Sequence, residues 1–112
     1  MLTITYDPLN GPALPDAKIE TFVRKTCAEY LTGKVSNEQL ETSCVVSSEL
    51  AINWFRLFVL RGVVINTDMT FLYTNEDGAA YQMLIDKYGM CDHYPIGFID
   101  YTDNVLSEML NI

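Results

Sequence analysis

The sequence predicts an α+β fold, a single compact domain in which a small sheet of three or four short strands packs with three or four helices. Segments in which apolar residues recur at every second position alternate with segments in which they recur at every third or fourth. This alternation is typical of a fold that mixes strands and helices. Apolar residues make up 49% of the 112 residues, a globular proportion. That length suits one domain spanning residues 1–112 and argues against separate cofactor and substrate lobes.

The first half of the chain contains three clear elements. Residues 2–6 alternate apolar and polar side chains and predict a strand. Pro15 and Asp16 open a helix whose apolar side chains recur at spacings of three and four, and Gly33 is its expected end. Residues 42–46 predict a short buried strand, because an apolar run is bounded there by polar residues.

Five further elements follow from similar patterns. Residues 36–39 match the Ser-x-x-Gln pattern of a capping box, which would open one turn of helix. A second helix over 48–61 begins at a serine cap and is apolar around much of its circumference. Residues 69–73 predict a strand, and helical spacing of apolar residues predicts a helix over 81–88. A last helix is expected from about 101 to 112.

Charge is strongly negative and unevenly placed. Fifteen acidic residues against seven basic ones give a net charge of −8. This argues against unaided binding to DNA or RNA, because that affinity comes from Lys and Arg neutralising phosphates. Residues 75–112 hold seven acidic residues and one basic residue, a net charge of −6. Such a field steers basic partners toward the chain, or only keeps a small domain soluble, and both interpretations stay open.

Tyrosines are interleaved with the carboxylates of this last third. Acidic and aromatic groups together suit an interface for a basic protein surface, where Arg and Lys can pair and stack. We therefore expect a basic or nucleic-acid-binding protein as the partner, with the chain acting as a nucleic-acid mimic. The predicted partner-binding residues are Glu76, Asp77, Asp86, Asp92, Asp100, Asp103, Tyr88 and Tyr94.

Two alternatives come from other parts of the chain. The helix over 48–61 is apolar on more than one side, so it could pack against a second copy in a homo-oligomer. Its expected interface residues are Trp54, Phe55 and Phe58. The loop Cys91–Tyr94 could instead bind a small ligand, since Cys91 and His93 could supply two metal ligands. A structural zinc site requires four ligands, however, and this loop offers two, so no metal or cofactor is expected.

No sequence motif indicates catalysis. The chain lacks a nucleophile elbow, a phosphate-binding loop with its lysine and a Gly-rich dinucleotide fingerprint. The N-terminal residues show no secretory pattern, and no apolar run approaches the ~20 residues that cross a bilayer. Three widely spaced cysteines argue against a disulfide framework. We expect a non-catalytic, soluble, cytoplasmic protein.

One stretch resembles a known family. Residues 42–53, then Arg56, Gly62, a strand and the Asn-Glu-Asp-Gly of 75–78, resemble the stretch after the second catalytic carboxylate of OLD-type and SMC-like ATPases. In that family a strand leads to a helix containing a Ser-Glu pair. The ending over 94–100 is similar to a W-P-x-G-F-x-D tail found beside such ATPases and in small prophage open reading frames. The resemblance covers about 60 residues.

The chain also departs from that family. A histidine that senses the nucleotide commonly precedes the Ser-Glu pair, and Ser47 occupies the corresponding place here. Both phosphate-binding motifs of the ATPases are missing. The resemblance therefore implies a non-catalytic module of the kind that small phage proteins provide, not an ATPase. Together with the small size, the acidic last third and the missing catalytic motifs, it leads us to expect a phage-type accessory protein that binds and modulates a host or defence protein in the host cytoplasm, with inhibition as the expected effect.

Overall fold

The architecture comes from a computed structural model, which describes residues 1–38 and 40–98. Over these ranges the elements are β1 (Leu2–Tyr6), α1 (Asp16–Ser36), β2 (Thr42–Val46), α2 (Glu49–Leu60), β3 (Met69–Thr74) and β4 (Ala80–Leu84). A short 3-10 turn, Asn66–Asp68, leads into β3. The predicted α+β class is confirmed, although the described part of the chain contains two α-helices rather than three or four.

The four strands form one mixed sheet in the order β2-β1-β3-β4. The central strand β1 runs parallel to both β2 and β3, and β4 runs antiparallel to β3. Parallel strands need a crossover connection, which α1 supplies from β1 to β2 and α2 supplies from β2 to β3, two strands that lie on either side of β1. In this register Ile4 lies between Cys44 and Phe71.

The two faces of the sheet differ in burial. Leu2, Ile4 and Tyr6 of β1 are buried in the core that both helices share, because alternate side chains of a strand point to the same face. The opposite side of the sheet, called the open face here, carries exposed side chains. Its members on β2 and β3 are Ser43, Val45, Leu72 and Thr74.

The predicted helix over 81–88 is wrong, because residues 80–84 form β4. The turn before it explains the difference. Asn75 Oδ1 accepts hydrogen bonds from the backbone N–H groups of Asp77 and Ala79, and Gly78 adopts a φ of 82° that a side chain would disfavour. The chain therefore turns back on β3 as a hairpin and completes its hydrogen bonds there.

The end of α1 also differs from its prediction. The helix continues past Gly33 to Ser36, and Asn37 ends it in the left-handed region with a φ of 58°. Asparagine tolerates this conformation better than most residues, and its N–H donates to Lys34 O. Ser36 is thus the last residue of α1 and not the start of a new helix. The expected helix over 101–112 lies outside the described residues.

Candidate protein-binding site

The residues that follow β4 form a loop, the 85–94 loop, which is fixed to α2 by Arg56. The Arg56 side chain is 0% exposed. Its Nε donates to the carbonyl oxygen of Gly89 at 2.8 Å, and one terminal nitrogen donates to the Tyr94 hydroxyl at 3.1 Å. The other terminal nitrogen donates to Asn53 Oδ1 at 3.1 Å. Because a buried guanidinium must bond its N–H groups, Arg56 holds the 85–94 loop in one arrangement against α2.

Arg56 has no carboxylate within ion-pair distance in the described part of the chain. Its guanidinium instead lies 5.6 Å from the centre of the Tyr94 ring. A cation near an aromatic face is attracted to the negative face of the ring. Burial raises the pKa of Tyr94, while the positive charge of Arg56 opposes that rise. Tyr94 therefore stays a neutral phenol at pH 7 and serves as an acceptor for Arg56.

Cys91 is unsuited to the chemistry that a reactive thiol performs. Its side chain is buried, and burial raises the pKa of the Cys91 thiol to about 12. Only a thiolate is a strong nucleophile or metal ligand, so a thiol that stays protonated is inert. The backbone N–H of Cys91 donates to the Tyr94 hydroxyl at 3.0 Å, which closes the end of the loop. The polar groups of Cys91 and Tyr94 named here are thus already bonded within the chain.

Asp86 gives the 85–94 loop its shape. Its Oδ1 accepts hydrogen bonds from the backbone N–H groups of Tyr88 at 2.8 Å and Met90 at 3.0 Å. The N–H of Asp86 in turn donates to Met90 O at 2.9 Å. A carboxylate that bonds the backbone two residues on is the usual organiser of such a turn. Asp86 nevertheless remains exposed at the surface.

Asp92 plays a similar part at the outer side of β4. Its Oδ1 accepts from the N–H of Leu84 at 3.1 Å, and its own N–H donates to Leu84 O at 2.8 Å. The same oxygen lies 2.8 Å from Nδ1 of His93. Both backbone groups of Leu84 that point away from β3 are therefore bonded, and the edge of β4 is closed at this residue.

Aromatic surface lies between the two aspartates. Tyr88 is 51% exposed, and Lys87 Nζ lies 5.2 Å from the centre of its ring. The 85–94 loop therefore presents two carboxylates and an exposed tyrosine on a backbone that Arg56 fixes from below. This arrangement can accept hydrogen bonds from cationic side chains and stack against a guanidinium.

The structure divides the predicted partner-binding residues into separate groups. It brings Asp86, Tyr88 and Asp92 together in the 85–94 loop, with Tyr94 beneath them. Glu76 and Asp77 lie in the turn at the other end of the β3–β4 hairpin, about 17 Å away along a five-residue strand. Asp100 and Asp103 lie outside the described residues.

Two of the three residues expected at an interface between copies lie in the core of the chain itself. Phe55 and Phe58 are buried in the core of their own chain, so neither is available at its surface. The helix is apolar around much of its circumference because α2 has neighbours on more than one side. Arg24 of α1 lies 5.3 Å from the Phe58 ring, and Arg56 contacts the 85–94 loop. Trp54 is only partly buried.

The described part of the chain offers no group of three or more His, Cys, Asp or Glu residues that could hold a metal ion. None of its described helices has the length and apolar character required to cross a membrane. No protein-family model, curated protein or solved structure matches this chain.

Sequence reasoning missed the organising role of Arg56. The signal was present, since Arg56 is a single cation inside the apolar run 54–58 of a helix that must be buried on that face. A charged residue at such a position needs polar partners from another element. The sequence did not indicate which element supplies them, because Gly89 and Tyr94 are 33 and 38 residues away.

Proposed function

We propose that this chain is a non-catalytic accessory protein that binds and inhibits a basic, nucleic-acid-binding protein through the 85–94 loop. The observation that carries the proposal is the Arg56-fixed loop, which holds Asp86, Tyr88 and Asp92 together at the surface. The resemblance to small phage proteins suggests the setting, in which the partner is a host or defence protein in the host cytoplasm. In this proposal the carboxylates occupy the place of nucleic-acid phosphates.

A preorganised loop lowers the cost of binding. Ordering a mobile segment at an interface costs conformational entropy, and a loop already held by side-chain hydrogen bonds avoids part of that cost. The bonds of Asp86 and Asp92 to the backbone are made through Oδ1. A carboxylate has about four acceptor positions over two oxygens, so both residues retain the capacity to accept from Lys or Arg.

Electrostatics supports the choice of a basic partner. Residues 75–98 carry four acidic residues and one lysine, and the whole chain has a net charge of −8. Opposite charge on the partner raises the rate of encounter, and this effect weakens as salt screens the field. The partner of such a surface is expected to dissociate more readily at higher ionic strength.

Two charge-neutral substitutions test the proposal without removing the loop's own bonds. In the double variant Asp86→Asn with Asp92→Asn, the amide oxygen can still accept from the backbone while both charges disappear. The matched control is Glu29→Gln with Glu38→Gln, which removes two charges from exposed residues of another part of the surface. Thermal unfolding of each variant establishes that the fold is retained.

Tagged wild-type chain is used to capture proteins from host-cell lysate at about 50 and 200 mM salt, with identification by mass spectrometry. We expect one basic protein that the wild type and the control retain, that the aspartate variant retains at least tenfold less, and that higher salt releases. The purified partner should then lose affinity for a labelled DNA duplex when the chain is added. Equal capture by the aspartate variant would overturn the proposal.

A further inference from the structure

The outer edge of β2 carries backbone groups that the described residues leave unbonded. Thr42 donates its N–H to Met1 O at 3.1 Å, and Val46 O accepts from Asp7 at 2.8 Å, so both residues direct these groups toward β1. Backbone groups alternate in direction along a strand. Ser43 and Val45 therefore direct N–H and C=O away from β1, and both residues are exposed.

The two edges of the sheet differ at one end, because β4 is closed at Leu84, although the outward backbone groups of Ala80 and Gln82 have no bond among the described residues. At β4, Asp92 bonds both outward groups of Leu84. At β2, the sequence Thr-Ser-Cys-Val-Val contains no lysine and no proline, and its register with β1 runs without a bulge from Thr42 to Val46. Charged residues, prolines and bulges are the usual devices that keep another strand from pairing with an edge. The edge of β2 has none of them.

A small apolar cavity lies at the carboxyl end of β2. Its volume is about 90 Å³, and its walls include Leu14, Ile19, Phe22, Val46 and Ala51. The cavity is larger than the minimum that holds one water molecule, so a small apolar side chain can enter it. An edge strand beside such a cavity is the arrangement used in strand addition, where backbone bonds give affinity and a pocket gives specificity.

Charge around β2 indicates what kind of strand would pair with it. Residues 35–55 contain Glu38, Glu41 and Glu49 but no lysine or arginine. If a second copy of the chain paired its β2 antiparallel to this one, Glu38 and Glu41 of each copy would lie close to Glu49 of the other. Repulsion between these carboxylates would oppose such a dimer. The Met1 ammonium donates to Leu40 O just before β2, yet the three glutamates still give this part of the chain an excess of negative charge. A strand flanked by basic residues therefore meets a net opposite charge.

We propose that the outer edge of β2 binds an extended segment of a partner polypeptide as a fifth strand of the sheet. The segment carries Lys or Arg on both sides of a short β-strand, and one of its apolar side chains fills the cavity beside Val46. The strand β2 forms one edge of the sheet, and the 85–94 loop follows β4, which forms the other edge. The proposal therefore stands independently of the function proposed above.

The test uses the full chain and an array of nine-residue peptides, each with five variable positions between pairs of lysines. Val45→Pro removes an outward N–H that the sheet does not use, and proline is tolerated on strand edges. Val45→Thr is the matched control, because it keeps that N–H. We expect peptides with a β-branched or apolar centre to bind the wild type and the control alike. Their affinity for Val45→Pro should be at least about tenfold weaker.

Amide hydrogen exchange gives a measurement that does not depend on a variant. The amides of Ser43 and Val45 should exchange rapidly in the free chain and become protected when a selected peptide is added. Protection in the free monomer would overturn the proposal, because the chain's own residues would then cover the edge. A dimer that Val45→Pro abolishes, an array without any bound peptide, or equal binding by Val45→Pro would overturn it as well.

Discussion

Arg56 joins two parts of the molecule that are far apart in sequence. It lies in the middle of α2 and bonds the backbone of Gly89 and the hydroxyl of Tyr94. The partners are neutral, so the stabilisation comes from charge-assisted hydrogen bonds and from the Tyr94 ring rather than from an ion pair. This residue therefore carries the connection between the core and the 85–94 loop.

Replacing Arg56 tests that connection. Arg56→Met preserves much of the side-chain volume but removes the donor to Gly89 O and Asn53 Oδ1 and leaves the Tyr94 hydroxyl with the Cys91 N–H as its donor. Unsatisfied buried polar groups are costly, so we expect the free energy of unfolding to fall by about 2 kcal/mol or more. Urea denaturation measures the change. Arg61→Met, at an exposed position, removes the same charge and should change stability by less than about 0.5 kcal/mol.

Asp68 makes stability depend on pH. A hydrogen bond from Lys34 lowers the pKa of the Asp68 carboxyl below its usual value, and a hydrogen bond from the Tyr30 hydroxyl acts in the same direction. A carboxyl whose pKa is lowered by folding stabilises the fold above its unfolded value, about 3.9. That contribution is lost as the pH falls through the folded value.

The melting temperature should therefore fall more steeply below about pH 4 in the wild type than in Asp68→Asn, which does not titrate. Thermal unfolding followed by circular dichroism between about pH 2 and 6 measures both profiles. Glu29→Gln, at an exposed position of α1, should follow the wild type. Parallel profiles for the wild type and Asp68→Asn would contradict this role of Asp68.

At the scale of elements, the pattern of apolar residues and the polar or capping residues that bound it predicted three elements closely. The strands β1 and β2 and the helix α2 fall within one residue of their predicted ends. The period was ambiguous over β4, because Tyr81, Leu84 and Ile85 fit a helix while Tyr81, Met83 and Ile85 fit a strand. A short apolar run does not decide between the two, and pairing with β3 does.

The candidate site was predictable only in part for a related reason. Composition identified the acidic residues and tyrosines of the last third. It could not indicate that Asp86 and Asp92 lie at one end of the β3–β4 hairpin and Glu76 and Asp77 at the other. That separation depends on β4 being a strand, and the spacing of the apolar residues did not distinguish a strand from a helix there.

The start of α2 depends on one serine. Ser48 Oγ accepts from the N–H of Leu50 at 3.1 Å and so satisfies one of the free donors of the first turn. Ser48→Ala should lower the free energy of unfolding by about 1 kcal/mol, as measured in urea. Ser48→Asp keeps an acceptor at the cap and should retain most of the stability. An unchanged Ser48→Ala variant would contradict the role of the cap.

At the scale of the whole molecule, net charge opposes compactness. With a net charge of −8, like charges repel one another more in the folded chain than in the expanded one. Sodium chloride screens this repulsion over about 10 Å at 0.1 M. The melting temperature should therefore rise between about 10 and 200 mM salt. A fall over that range would indicate that specific ion pairs outweigh the net repulsion.

The position of β1 in the sheet has a consequence for the order in which the fold can assemble. The central strand β1 precedes both of its neighbours in the chain, and it pairs with strands that begin 40 and 67 residues later. Until β3 has been synthesised, one side of β1 has no partner in the nascent chain. Among the four described strands, only β3 and β4 pair across a short turn, so most of this sheet closes late and through long loops, which slows folding. A chain stalled before residue 69 would expose an apolar strand edge and be prone to aggregation.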